Sequence, residues 1–86
     1  MSRSEHSAGV HKLSALRPGT CGRIVRVTRD LTGRNERLAA LGVTPGATVR
    51  LLQTFPGIVF ECDQTELAVE RAVAGAIYVR PVEQRS

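Results

Sequence analysis

Three Pro-Gly dipeptides, Pro18-Gly19, Pro45-Gly46 and Pro56-Gly57, cut this 86-residue chain into short segments. Proline presets φ at the first corner of a turn, and glycine accepts the positive φ that a type II turn needs next. A short run of apolar and β-branched residues follows each dipeptide. A chain punctuated in this way reads as a compact β-domain with tight corners.

The runs carry the two-residue alternation of strands. In Cys21 to Thr28, Val25 and Val27 share one face and Ile24 takes the other, while Gly22 marks a bend or bulge. In Ala47 to Thr54, Val49 and Leu51 point inward between Thr48, Arg50 and Leu52. Ile58, Phe60 and Cys62 share the inner face of the next run, against Val59 and Glu61, and Asp63-Gln64 makes a hairpin corner. Leu67 and Val69 face inward in Thr65 to Glu70, and Ile77 and Val79 do so in Ala76 to Arg80, where Tyr78 faces out. One helix is expected over Gly33 to Leu41, with Leu31, Leu38 and Leu41 on its inner face. Gly42 then ends it in the left-handed conformation and Val43 packs back on Leu38. A single helical turn around Arg71 to Val73, closed by Gly75, precedes the last strand.

About five short strands with one short helix between the first and second predict a small all-β barrel, whose closure protects the strand edges. Short strands and the position of the helix favour an SH3-like barrel over an OB-fold. The folded domain is expected over residues 13–82. Residues 1–12 and 83–86, rich in Ser and charged groups, are expected to form disordered ends.

Eleven Arg and one Lys against eight acids give a net charge of +4, with the cations scattered along the chain. That balance suits a nucleic acid or an acidic protein surface without selecting either. Cys21 and Cys62 are far apart in a chain with no secretory signal, and read as free thiols of a cytoplasmic protein rather than a disulfide. No apolar run approaches the roughly 18 residues of a membrane span, so membrane association would come through a partner. Neither histidine stands in an organised catalytic constellation, and there is no phosphate-binding G-x-x-x-x-G-K-[ST] loop. An enzyme is not expected.

Four ordered blocks resemble FeoA proteins. Leu13-Ser14-Ala15-Leu16-Arg17-Pro18-Gly19 is similar to the family's opening L-x-x-L-x-P-G, and Cys21 to Val27 to its first strand. Arg37-Leu38-Ala39-Ala40-Leu41-Gly42-Val43-Thr44-Pro45-Gly46-Ala47-Thr48-Val49 resembles its most specific stretch. Leu67 to Arg71, with Ala74 and Ala76 to Val79, resembles the closing strand, turn and strand. Where the family commonly carries a Pro-Gly-Asp-Pro-like loop, this chain has Phe55-Pro56-Gly57-Ile58. The resemblance implies an SH3-like barrel, a fold also found at the C-terminus of diphtheria-toxin-repressor-type metal-dependent regulators. It further implies a cytoplasmic accessory of ferrous-iron uptake that docks on the cytosolic region of the FeoB permease and modulates transport by contact. No helix-turn-helix accompanies the domain, which argues against a complete repressor.

Protein contact is the reading the residues favour. Leu52, Val59 and Tyr78 face outward, Phe55 stands at a corner, and Arg50 and Arg80 flank them, the usual composition of an interaction patch. Arg34 and Arg37 make the helix a second candidate surface; self-association into a homo-oligomer stays open. Nucleic acid is the rival on charge, but with few aromatic platforms, and Arg23, Arg26 and Arg29 alternate faces in a regular strand. No cofactor is required. A weak Fe2+ or Zn2+ site would draw on His6, His11, Asp63, Glu66 and Glu70, although their spacing matches no preformed tetrahedral site.

Overall fold

The structure, a computed structural model, describes residues 9–28 and 34–82, with side chains at 34 and 35 outside that set. Its strands are β1 (His11–Lys12), β2 (Cys21–Val27), β3 (Thr48–Gln53), β4 (Ile58–Cys62), β5 (Thr65–Val69) and β6 (Ile77–Pro81). Two helices, α1 (Arg34–Ala40) and α2 (Arg71–Ala74), and a 3-10 turn over Leu13–Ala15 complete it. All neighbouring strands are antiparallel, in the order β1-β6-β2-β3-β4-β5.

The sheet encloses one apolar cluster. Ile24, Val49, Leu51, Ile58, Phe60, Cys62, Ile77 and Val79 supply it from the strands, and Leu13, Leu38, Val43, Val73 and Ala74 seal it from the connections. No polar or charged side chain is buried among the described residues.

Two of the three Pro-Gly turns lock β2 to β3. Gly19 and Gly46 adopt φ of 94° and 97°. The Gly19 N–H donates to the Leu51 carbonyl at 2.7 Å and the Gly46 N–H to the Ile24 carbonyl at 2.7 Å. The third corner is built differently: the Phe55–Pro56 peptide is cis, and Gly57 is not among the positive-φ glycines.

Several expectations change. His11 and Lys12 pair with Val79 and Tyr78, so the sheet begins two residues before the expected boundary and has six strands. Residues 1–8 and 83–86, and Leu31 with the rest of 29–33, lie outside the described residues. In β2 the register shifts between Ile24 and Arg26, which makes Val25 the extra residue of a β-bulge. Ile24 and Val27 then both pack on the core, whereas Val25 is half-buried, and Arg23 and Arg26 are both exposed. The expected pairing of Val25 with Val27 on one face, and the alternation of Arg23 with Arg26, are overturned by that one inserted residue. Gly22 serves a different purpose: a Cβ there would overlap Val79 Cγ1 and lie 2.9 Å from the Arg80 carbonyl oxygen.

Leu41 is not core. It is 51% exposed, while Leu38 is 6% exposed. The Val43 N–H donates to the Leu38 carbonyl (2.9 Å), the Gly42 N–H to the Ala39 carbonyl (3.0 Å), and Gly42 has φ of 96°. This is a Schellman cap with Gly42 at C′. Val43 folds back to occupy the space over Leu38 that Leu41 would otherwise fill, and leaves Leu41 at the C-cap, turned outward.

Candidate functional site

The β3–β4 corner gathers Leu52, Phe55 and Val59, three of the eight expected contact residues. The register of the two strands shifts between Leu51 and Gln53, so Leu52 and Gln53 together oppose Val59. Leu52 and Val59 are half-buried on the outer face, and Phe55 in the connecting loop is 81% exposed. Two bonds hold the loop in shape. The Arg71 guanidinium donates to the Thr54 carbonyl at 2.6 Å, and Gln53 Nε2 to the Gly57 carbonyl at 3.3 Å. A groove beside this corner is lined by Pro56, Val59, Ala68, Val69, Glu70 and Arg71.

A second groove lies between α1 and β5. Leu38, Leu41, Leu67, Val69 and Val73 form its apolar lining, and Arg37 and Glu70 supply its charged groups. Ala68, Val69 and Glu70 line both grooves. The two therefore flank the C-terminal half of β5, which is an edge of the sheet. Exposed Leu41 lines one and exposed Phe55 adjoins the other, giving an apolar strip whose helical half the sequence pattern had assigned to the core.

The remaining expected contact residues go elsewhere. Tyr78 is half-buried on the outer face of β6, opposite Arg26, whose guanidinium carbon sits 4.5 Å from the ring centroid. Leu51, next to Leu52 in β3, donates its N–H to the Thr20 carbonyl, six residues before Arg26 along the chain and roughly 20 Å from it at strand rise. Tyr78 and Leu52 thus do not share a patch. Arg80 is exposed opposite Arg23, and exposed Arg50 lies opposite Glu61. Arg37 is exposed on α1; Arg34 lies on the same helix, its side chain outside the described residues.

Metal ligands are not assembled. His11 is on β1 and Glu66 on β5, the two opposite edges of the sheet, with Asp63 in the hairpin turn and Glu70 before α2. Among the described residues no three His, Cys, Asp or Glu side chains cluster as a metal site would require; His6 lies outside them. The residues described therefore do not fit a resident metal. Cys62 is unsuited to the task as well. Its burial, and secondarily the Asp63 carboxylate, push the thiol up from its ordinary value, and its Sγ lies 3.7 Å from the Gly42 carbonyl. Neither Cys21 nor Cys62 is in a disulfide, and β3 runs between their strands, with Cys21 opposite Arg50 and Cys62 opposite Val49. Among the described residues no helix is long and apolar enough to cross a membrane.

Comparison with known proteins agrees with this architecture. The FeoA domain family matches residues 11–81. A crystal structure of an iron uptake regulatory protein, FeoA, is similar at 30% identity and a TM-score of 0.76, over 86% of this chain and 99% of that one. The zinc complex of Stenotrophomonas maltophilia FeoA, described as a prokaryotic SH3 domain protein and suggested to be a ferrous iron transport activating factor, is 22% identical. Its TM-score is 0.71, over 78% of this chain and 86% of that one. A manganese-dependent transcriptional repressor shares the fold at 22% identity and a TM-score of 0.78, with 87% of this chain matching 43% of the repressor. Among curated protein sequences there is no match. The match across residues 11–81, with the fold and the SH3-like relatives, shows that the chain belongs to the FeoA family.

Proposed function

We propose that this protein docks on the cytosolic region of the FeoB ferrous-iron permease and modulates transport by contact, without chemistry of its own. The observation that carries this reading is the apolar strip along the β5 edge. Phe55 is 81% and Leu41 51% exposed, and each stands at one of two grooves that share Ala68, Val69 and Glu70. Large apolar side chains beside preformed grooves, with charges at the margin, have the anatomy of a protein-contact core with a polar rim. Membership of a ferrous-iron transport family supports a transport partner, and cytoplasmic placement at the membrane follows from docking there.

The test is calorimetric titration of the cytosolic domain of the cognate permease at low and moderate salt, with and without GTP and Fe2+. Apolar docking predicts binding that survives the salt increase. Phe55→Ala and Leu41→Asp, each with a native melt, should weaken it at least about tenfold, as hot-spot truncations do. Undiminished binding by both variants would remove the strip from the interface, and the absence of binding in every condition would remove this partner.

A further inference from the structure

The outer face of β1, β6 and β2 is unlike the rest of the surface. Its rows are set by register: Lys12, Tyr78 and Arg26 stand side by side, and Arg80 stands opposite Arg23. The bulge at Val25 is what brings Arg23 and Arg26 to one side. Val10 and Val82, two residues beyond Lys12 and Arg80 and of the same strand parity, are 43% and 42% exposed. Four cations, two exposed valines and one tyrosine thus share a face, and no acid occupies an outward position on these three strands. Acids collect across the sheet instead, at Glu61, Asp63 and Glu66 on β4, β5 and their turn.

We propose that this face rests on an anionic lipid surface, the headgroups of the membrane in which the permease partner sits. The inference builds on the permease reading but uses different residues. Cations interleaved with small exposed apolar groups are the composition that adsorbs to an anionic leaflet, each Lys or Arg adding to the attraction. Two features favour a lipid surface over other anions. Neither groove at the β5 edge includes Tyr78, Arg23, Arg26 or Arg80, and so neither gives an acidic peptide a channel beside this face. The face's one aromatic ring already carries the Arg26 guanidinium at 4.5 Å, which takes the position a stacked nucleobase would need. A flat array of headgroups asks for neither a channel nor a bare ring. Docking through the β5 edge and adsorption through the β1-β6-β2 face then act as two weak attachments whose product exceeds either alone.

The test is co-sedimentation of the whole chain with phosphatidylcholine vesicles, pure or containing phosphatidylglycerol, at two salt concentrations. A parallel titration uses single-stranded oligothymidine. The expected result is binding to the anionic vesicles alone, lost as salt rises. The double variant Arg23→Gln, Arg26→Gln should bind them roughly thirtyfold more weakly, keep its cooperative melt, and bind the permease domain in solution as the native chain does. Equal binding to both vesicle types, no binding to anionic vesicles at low salt, or tighter binding to the oligonucleotide would overturn the inference. The vesicle measurement contains no permease, so its failure would leave the docking reading intact, and failed docking would leave the vesicle result standing.

Discussion

Leu41 shows how a single residue changes role with its position at a helix end. Spacing places it on the face of Leu38, but Val43 occupies that face and Leu41 remains exposed. Leu41→Asp should therefore melt within about 0.5 kcal/mol of the native chain, the range of ordinary surface substitutions. Leu38→Ala should cost about 2–4 kcal/mol through lost burial and a residual cavity. Thermal or urea unfolding of the pair decides it, and unfolding of the Leu41 variant would return that residue to the core. Cys62 supplies a pH prediction. Its thiol is raised above its ordinary value in the folded state, so the unfolded chain loses this proton first as pH rises. Stability is then independent of this group below pH of about 9 and falls above it. A denaturation series across alkaline pH should show that fall diminished in Cys62→Ala. In the native protein a thiol probe should label half-exposed Cys21 well before buried Cys62.

At the scale of elements, the hairpin turn and the bulged strand are the informative pieces. Asp63 and Gln64 adopt φ of 54° and 70°, both in the left-handed region. A two-residue hairpin of this kind is best served by Asn-Gly, and each ordinary L-residue held there costs about 1–2 kcal/mol. Replacing Asp63-Gln64 with Asn-Gly should accordingly stabilise the domain by about 1 kcal/mol, visible as a higher denaturation midpoint at constant m-value. Gly22 shows the opposite constraint, close approach rather than left-handed backbone. Gly22→Ala would press a methyl group on Val79 and the Arg80 backbone, for a loss of about 1–3 kcal/mol. The inner faces of β3, β4, β5 and β6, the Asp63-Gln64 corner and the cap at Gly42 with Val43 were all legible in the sequence. Each depends on local periodicity or on one residue's backbone preference. The bulge at Val25 was not legible, because an inserted residue is recognised only against its partner strand.

For the molecule as a whole, the sheet order decides which outward residues become neighbours. Leu52, Phe55 and Val59 meet at one corner, Tyr78 and Arg80 belong to another face, and Leu41 joins the first group across the β5 edge. The two surfaces should respond differently to salt. Permease binding through the apolar strip should change little between low and moderate ionic strength, whereas contact through Lys12, Arg23 and Arg26 should weaken steeply. Measuring both on one preparation separates them, and a steep salt dependence of permease docking would move the docking site to the basic face.

The class of fold, the positions of the turns, most of the core and the family follow from the order of the residues, since these rest on short-range pattern and on motifs contiguous along the chain. That Leu41 is surface, that Arg23 and Arg26 share a side, and that Tyr78 stands apart from Leu52 emerges only once the segments are packed together. Those outcomes depend on registers between strands, and on competition between Val43 and Leu41 for one space over Leu38. Both are set by contacts between segments that the linear pattern leaves unspecified.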